Sequence, residues 1–380
     1  MSQNPAIICL GYNRPQSLAR LLESLVVAQY DHQNVPLIIS LDHADDSTCL
    51  RLAESFLWPH GTKRVLTRLA RLGLKQHVLE AGDLTQEFGA IIMLEDDIVV
   101  SPAFYQYACA ALDAYGQESR IAGISLYSHR FHAHARRPFM PLVTGDSTFF
   151  LQYPCSWGQA WTREQWQGFR SWLQATPDHP LHEDLPLTVR RWSDSSWLKL
   201  FASYGLWSGK TWVYPYDTYT TNSADVGTHM RGNTTLYQVP LLWGAAPAYR
   251  FPKLGETLAH YDVYFENCSP LLLKNLGADV ELDLYGSKPD NSHRKPLLIT
   301  SRRGKHPTKT FGLSYKPWDV NVIRNTPGVE FSLIQREFVD WMRRPVFRWD
   351  IFTFGHPNRL SLQEMFVLTW DRLVRRIRRV

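Results

Sequence analysis

Between residues 6 and 126 the chain alternates short, unbroken apolar runs with stretches that are apolar on one side only. Ala6–Tyr12 reads as a buried strand, and Pro15 then opens a helix at the position where proline is favoured. Leu18, Leu21, Leu22 and Leu25 fall on one stripe of that helix. Leu37–Leu41 is a second strand, ending at Asp42, and the Asp45-Asp46-Ser47 turn leads into a helix to about residue 57. Ala90–Leu94 is a third apolar strand running into Glu95-Asp96-Asp97. After Ser101-Pro102 a helix reaches about Tyr115, followed by a strand over Ile121–Leu126. Strands and helices in this alternation predict a parallel-rich α/β sheet with helices on its faces.

Beyond residue 145 the pattern loosens. Residues 145–235 are rich in Trp, Gly, Pro and Ser, with one clear helix over about 193–204. Val280–Tyr285 alternates in the strand period and precedes a polar, turn-rich stretch from Gly286 to Lys295. Residues 361–380 carry Leu362, Phe366, Trp370, Leu373 and Ile377 every three or four positions, with arginines between them. This predicts an amphipathic helix. It is either docked on the body with a solvated basic face or attached to an anionic membrane surface.

Charge sharpens that division. The net charge is +5, but residues 341–380 hold nine Arg against three acids, which leaves the first 340 residues at −1. A nucleic-acid-binding body would need a basic face, and this bulk composition argues against one. Five scattered cysteines show no Cys-x-x-Cys spacing, so neither a disulfide framework nor a structural zinc site is encoded. A reducing compartment is the expectation. With no leader pattern at Met1–Pro5 and no apolar run long enough to span a bilayer, a cytoplasmic location is the expectation, peripheral to the inner membrane face if the basic tail binds lipid.

The candidate chemistry lies at Glu95, Asp96 and Asp97, three acids between apolar runs at the carboxyl end of a buried strand. Burying unpaired carboxylates costs several kcal/mol each, so such acids hold a cation or line a solvated cleft; an acidic turn bonded to backbone amides is the ordinary structural alternative. Ligands of α/β sheets bind beyond the carboxyl ends of strands, and hard oxygen donors select Mg2+ or Mn2+. Arg14, beside the start of the first helix, suits a phosphate; Asp42 at the second strand end suits a base or ribose. Together these residues describe a site for a nucleoside diphosphate and a divalent metal.

The order strand-Asn13-Arg14-Pro15-helix, strand-Asp42 and strand-Glu95-Asp96-Asp97 with Ser101-Pro-x-Phe104 resembles a GT-A glycosyltransferase. Within that fold it is most similar to the inverting N-acetylglucosaminyltransferase I family and its bacterial relatives. The likeness runs over about residues 5–235, through Pro154-Cys-Ser-Trp157-Gly158, Trp192-Ser-Asp194-Ser-Ser-Trp197, and Tyr214-Pro215 to Gly227-Thr-His229. It implies a Rossmann-like nucleotide-sugar-binding sheet in a catalytic domain over 1–250, with the donor part at about 1–130 and the acceptor part at about 131–250. A small β-containing region over 251–340 and the basic tail over 341–380 would follow.

The resemblance implies Asp97 as the metal ligand, with His229 near the donor phosphates and metal. It puts Glu95 and Asp96 on the nucleotide sugar, most simply a UDP-sugar, Arg14 on a phosphate and Asp42 on the nucleobase. Asp194 would be the catalytic base, inverting the sugar onto a hydroxyl of a glycan or glycolipid. The family carries its acid immediately beside the Trp, whereas Asp194 stands three residues before Trp197, so Glu183 and Asp184 are alternatives. Tyr153, Trp157, Trp161, Trp197 and Trp212 are candidates to stack the acceptor, with Trp157 the principal one. The stretch from His129 to Arg137 is expected as a mobile loop over the donor site. Two other classes remain open at this stage: a nucleotidyltransferase making a nucleotide sugar, and a non-catalytic carbohydrate- or membrane-binding module.

Overall fold

The computed structural model describes residues 4–31, 34–178, 180–223, 225, 235–290, 294–342 and, of the tail, 362, 365–366 and 369–370. His229 and almost all of the basic tail, with its expected amphipathic helix, lie outside the described residues.

In chain order the first elements are β1 (Ala6–Gly11), α1 (Pro15–Val26), β2 (Leu37–Leu41), α2 (Thr48–Ser55), β3 (Lys63–Leu66), α3 (Leu74–Gly82) and α4 (Thr85–Phe88). Then come β4 (Ala90–Glu95), β5 (Ile98–Val100), α5 (Phe104–Tyr115), β6 (Ile121–Ser125), β7 (Phe131–His132), β8 (Arg137–Pro138), β9 (Thr148–Leu151) and β10 (Gln159–Thr162). α6 (Arg163–Ala175), α7 (Leu187–Arg190), α8 (Trp197–Trp207), β11 (Thr211–Pro215), β12 (Thr220–Asn222) and β13 (His260–Tyr261) follow. The last are α9 (Pro270–Leu276), β14 (Val280–Asp283), β15 (Leu297–Thr300), β16 (Lys309–Phe311), α10 (Asp319–Ile323) and β17 (Phe331–Gln335).

Two compact units result. One comprises residues 1–130 and 143–265; the other, 131–142 and 266 onward. The first is an α/β unit on a nine-stranded sheet of order β13-β9-β11-β6-β10-β4-β1-β2-β3. β3, β2, β1 and β4 are mutually parallel, as are β6 with β11 and β9 with β13. β10 runs antiparallel between β4 and β6, and β9 antiparallel to β11. The apolar stripe of α1 (Leu18, Leu21, Leu22, Leu25) shares one core with Ile7 and Cys9, Leu37 and Ile39, Ile92 and Leu94, and with Phe104, Tyr107 and Leu112 of α5. The alternate residues of the same strands, Ile8, Ile38, Ile91 and Met93, are buried too. Both sheet faces are therefore covered, which is why these strands read as continuous apolar runs rather than as alternation.

α6 begins with a capping box: Thr162 Oγ1 accepts from the Gln165 amide and the Gln165 side chain from the Thr162 amide. Trp161, Trp166 and Trp212 are fully buried, and their rings pack around Phe201 of α8.

The second unit is built on a four-stranded sheet, β14-β15-β17-β16, with β14 and β15 parallel. Its interior holds charge. Glu281 accepts from Lys288 Nζ at 2.7 Å, Arg294 Nη1 at 2.6 Å and Arg336 Nη2 at 2.6 Å. Burial alone would raise this carboxyl; the three cations hold it below its ordinary value. Fully buried Asp283 accepts from Arg302 Nε and Thr300 Oγ1, each at 3.1 Å. The guanidiniums of Arg302 and Arg336 both lie over Trp341, at 5.1 and 5.3 Å. β7 and β8 form a short hairpin in this unit, with His132 and Arg137 buried and the His132 ring 4.5 Å from Tyr285. The expected mobile loop over the donor site is thus a packed hairpin here: its alternating histidines go inward instead of facing solvent. No described helix is long and apolar enough to cross a membrane.

Candidate functional site

The strand order β3-β2-β1-β4 reverses direction between β1 and β4, because the chain leaves β1 toward β2 on one side and returns to β4 on the other. A crevice opens beyond the carboxyl ends of parallel strands at such a switch point, and ligands of α/β sheets bind there. Both flanking strands end in the residues singled out above. β1 ends at Gly11, and three residues later Arg14 caps α1 ahead of Pro15, which needs no hydrogen bond at a helix start. β4 ends at Glu95, paired with Leu10 of β1, and Asp96-Asp97 turns the chain into β5.

Arg14 and the acids meet although they are 82 residues apart. Arg14 grips Asp96 with two nitrogens: Nη2 on Oδ1, and Nε on Oδ2 at 3.2 Å. Its Nη1 stands 3.4 Å from Asp97 Oδ2. Burial pushes the Asp96 carboxyl up to about 6, with Arg14 opposing and Asp97 adding to the rise. Burial likewise raises Glu95 well above the carboxylate range, with Asp97 and Asp96 adding to it. Three packed carboxylates share one guanidinium, so the turn is short of positive charge. Asp97 Oδ1 is buried without a hydrogen-bond partner, an orphan of the kind a cation satisfies. Among the described residues no group of three or more His, Cys, Asp or Glu is arranged to hold a metal ion. A Mg2+ or Mn2+ here would rest on Asp97 and take its remaining ligands from substrate phosphates and water, a habit of Mg2+ sites.

Asp42 is buried, and backbone amides engage its carboxylate. His43 N and Leu72 N donate to Oδ1 at 2.9 and 2.8 Å, and Gly73 N donates to Oδ2 at 2.9 Å. Burial would raise this carboxyl, but the three amides hold it below its ordinary value. Asp42 thereby folds the 67–73 loop over the end of β2. Gly73 sits at φ +76°, a conformation glycine adopts without a Cβ penalty, and α3 starts from it. On the same loop the Arg71 guanidinium lies 4.6 Å from the centre of the Tyr12 ring.

Within α3, buried His77 bonds Ser40 Oγ through Nε2 at 2.8 Å. Burial lowers its pKa from 6.5 to about 4. The folded state therefore favours the neutral ring. That contribution is complete above about pH 6.5, shrinks as pH falls toward 4, and amounts to about 3 kcal/mol at full size. Urea titrations at pH 7 and pH 4.5 should show a smaller acid loss for His77→Gln than for wild type. Equal losses would assign the titration to another group.

The Pro154–Gly158 loop reaches the same edge. It leads into β10, whose Gln159 pairs with Met93 of β4; the Leu126 amide donates to Gly158 O at 3.0 Å, and Thr220 Oγ1 donates to Trp157 O at 2.6 Å. Gly158 holds φ +91° with Thr220 so close that a Cβ would meet it at 2.8 Å. Trp157 is half-buried, with its ring 4.8 Å from Tyr127 and 5.0 Å from Tyr237. The other aromatics expected at the acceptor are core: Trp161 and Trp212 are fully buried, and Tyr153 and Trp197 nearly so. The three indoles pack around Phe201 of α8 and the Tyr153 ring against His129, Trp192 and Phe265, so none of the four is free to stack an acceptor.

Asp194 lies in the turn before α8, fully exposed on its side chain, with Lys199 Nζ 2.8 Å from Oδ1. The Lys199 bond and charge hold its carboxyl below the ordinary range. Glu183 is exposed, and Asp184 is half-buried, its N donating to His182 Nδ1 at 3.0 Å.

One cluster was not legible beforehand. Asp225 accepts from Ser17 Oγ at 2.6 Å, from Ser223 Oγ at 2.9 Å and from Arg20 Nη2, while Ser223 N donates to Asp97 O at 2.8 Å. The segment after β12 is thus fastened both to α1 and to the acidic turn. Ser17 and Arg20, three apart on the face of α1 beside its apolar stripe, were its only sequence signal.

No family model matches the chain, and no curated protein matches it in sequence. Among solved structures it is similar to a mannosyltransferase, PcManGT from Pyrobaculum calidifontis, in complex with GDP-Man and Mn2+. The identity is 13% and the TM-score 0.32, over 43% of this chain and 46% of that one. It is also similar to S. aureus TarS 1–349 in complex with UDP-GlcNAc, at 15% identity and TM-score 0.40, over 60% of each chain. The chain thus spans about half to three-fifths of the length of these proteins.

Proposed function

We propose that the chain is a metal-dependent glycosyltransferase that moves a sugar from a nucleoside-diphosphate donor to a hydroxyl of a glycan or glycolipid, with inversion. The observation that carries this reading is the meeting of Arg14 with Glu95, Asp96 and Asp97 at the switch point between β1 and β4, beside the orphaned oxygen of Asp97. A crevice there, lined by one guanidinium and a cation-seeking carboxylate, suits a diphosphate and a divalent ion. The donor part of the domain is then about residues 1–130, and the acceptor is served by the rest of the first unit, residues 143–250.

A Mn2+ or Mg2+ held by Asp97 would supply Lewis-acid neutralisation of the diphosphate. Arg14 binds the phosphates. Glu95 and Asp96 face the nucleotide sugar, the 67–73 loop organised by Asp42 faces the base, and Trp157 offers a ring to the acceptor. In the transfer the acceptor oxygen bonds to the anomeric carbon as the bond to the diphosphate oxygen breaks and its electron pair leaves with the diphosphate. Asp194 takes the hydroxyl proton, a contribution of about 10²–10⁴-fold for a general base. Lys199 Nζ anchors the Asp194 carboxylate at 2.8 Å from Oδ1. Asp194→Asn is expected to leave donor affinity unchanged and to lower kcat by about that factor; full turnover would move the base to Glu183 or Asp184.

The test of the reading itself is thermal stability against UDP, GDP, CMP and their sugars, each with and without Mn2+. Ligand at 100 times its Kd adds about 2.7 kcal/mol of stability, a visible shift in Tm. A Mn2+-dependent shift with one nucleotide supports the reading and identifies the base; no shift with any of them overturns it.

A further inference from the structure

We infer that Arg14 is a resident counter-cation that antagonises metal binding until a diphosphate draws it away, so that metal and nucleotide bind this site with positive coupling. The inference rests on the donor-site reading above and concerns the order in which that site fills.

The geometry gives Arg14 two conflicting tasks. Its guanidinium is gripped by both oxygens of Asp96, and Nη1 reaches Asp97 Oδ2. Asp97 is the same carboxylate whose Oδ1 is buried and unpartnered. A divalent ion at Oδ1 would share one carboxylate with a guanidinium fixed on the other oxygen. The Asp97 side chain is 16% exposed and that of Asp96 5%, so little water intervenes to screen the repulsion. Arg14 is also the group suited to a diphosphate, because a planar guanidinium bonds phosphate oxygens in pairs as it now bonds Asp96.

Both tasks cannot be done at once. A diphosphate that attracts Arg14 vacates Asp97 Oδ2 and leaves the acidic turn short of one positive charge, which a divalent ion then supplies. By reciprocity the ion strengthens diphosphate binding by the same factor. Free metal alone meets a site already part-neutralised, so the acidic turn binds it more weakly without donor than with it.

The test uses the full chain and Mn2+, with free Mn2+ followed by electron paramagnetic resonance, alone and at saturating UDP or GDP. Three variants are compared with wild type. Arg14→Gln removes the resident charge. Arg14→Lys keeps the charge without the planar fork that grips both oxygens of Asp96, and it guards against misfolding of the first variant. Arg20→Gln removes a neighbouring α1 charge that pairs with Asp225 instead. Arg14→Gln is expected to bind Mn2+ alone about 10-fold more tightly than wild type, with Arg20→Gln within about 2-fold of wild type and Arg14→Lys between. In wild type the nucleotide should tighten Mn2+ by about 10-fold more than it does in Arg14→Gln, where only direct ligation of the ion by the phosphates remains.

Mn2+ binding to Arg14→Gln no tighter than to wild type overturns the inference. So does a wild-type Mn2+ affinity that bound nucleotide leaves unchanged, even though the donor site itself would then stand. An equal gain in Arg20→Gln would reduce the effect to bulk charge and overturn it as well. Failure of wild type to bind Mn2+ or either nucleotide would instead sink the donor-site reading.

Discussion

Asp97→Asn is expected to abolish Mn2+-dependent donor binding and to lower transfer by about 10²–10³-fold, with the fold intact. The size follows from what the residue does. It is the carboxylate with an oxygen to spare, since both oxygens of Asp96 are taken by Arg14. Losing one group that stabilises charge in a transition state costs about 10²–10³-fold, and a metal contributes several kcal/mol in that role. The substitution removes a charge from a turn short of positive charge, so folding stability should hold or rise. Circular dichroism and melting curves check the fold, and isothermal titration with Mn2+ and nucleotide checks the site. Wild-type metal-dependent binding by this variant would transfer the metal to Glu95 or Asp96.

The largest stability effect is expected far from that chemistry. Glu281→Ala should cost about 3–5 kcal/mol, the usual consequence of deleting one partner from a buried ionic cluster. Lys288, Arg294 and Arg336 would lose their shared acceptor while their side chains stay 2%, 12% and 8% exposed. Nearby Asp283 cannot substitute, because Arg302, Thr300 and the Lys288 amide already engage it. Urea unfolding followed by tryptophan fluorescence should show an earlier transition, with Trp318 and Trp341 reporting on this unit. A loss below about 1 kcal/mol would mean that the three cations reach water once the carboxylate is gone.

The strands and helices of residues 6–126 were legible in the sequence because their burial is simple. β1, β2 and β4 are covered on both faces and so appear as unbroken apolar runs, and Pro15 marks the start of α1. β3 was not, since Lys63-Arg64-Val65-Leu66 is a half-exposed edge strand with no apolar run. α6 carried a legible signal in Thr162-x-x-Gln165, but the surrounding Trp, Gly and Ser suggested irregular chain. β10 is four residues long and pairs with strands more than 30 residues away, so nothing local announces it.

The site divides in the same way. Glu95, Asp96 and Asp97 stand out because three acids interrupt apolar sequence. The Arg14–Asp96 pair is a product of the β1–β4 register and has no sequence signature. Asp42 had a visible position at a strand end, but its amide partners at Leu72 and Gly73 lie 30 residues on and could not be anticipated. The stretch from His129 to Arg137 misled because alternating histidines and arginines suggest a mobile loop, whereas His129, His132 and His134 are all buried.

The antiparallel strand wedged into the middle of the sheet has a mechanical consequence. β10 follows directly on the Pro154–Gly158 loop and pairs with β4 on one edge and β6 on the other. Gly158 O and Trp157 O are held by Leu126 and Thr220 in addition. That loop cannot swing as a flap: displacing it would mean unzipping two strand pairings in the interior of the sheet. It is an anvil, a wall fixed by the sheet itself. Its shape is set when the sheet forms, before any ligand arrives.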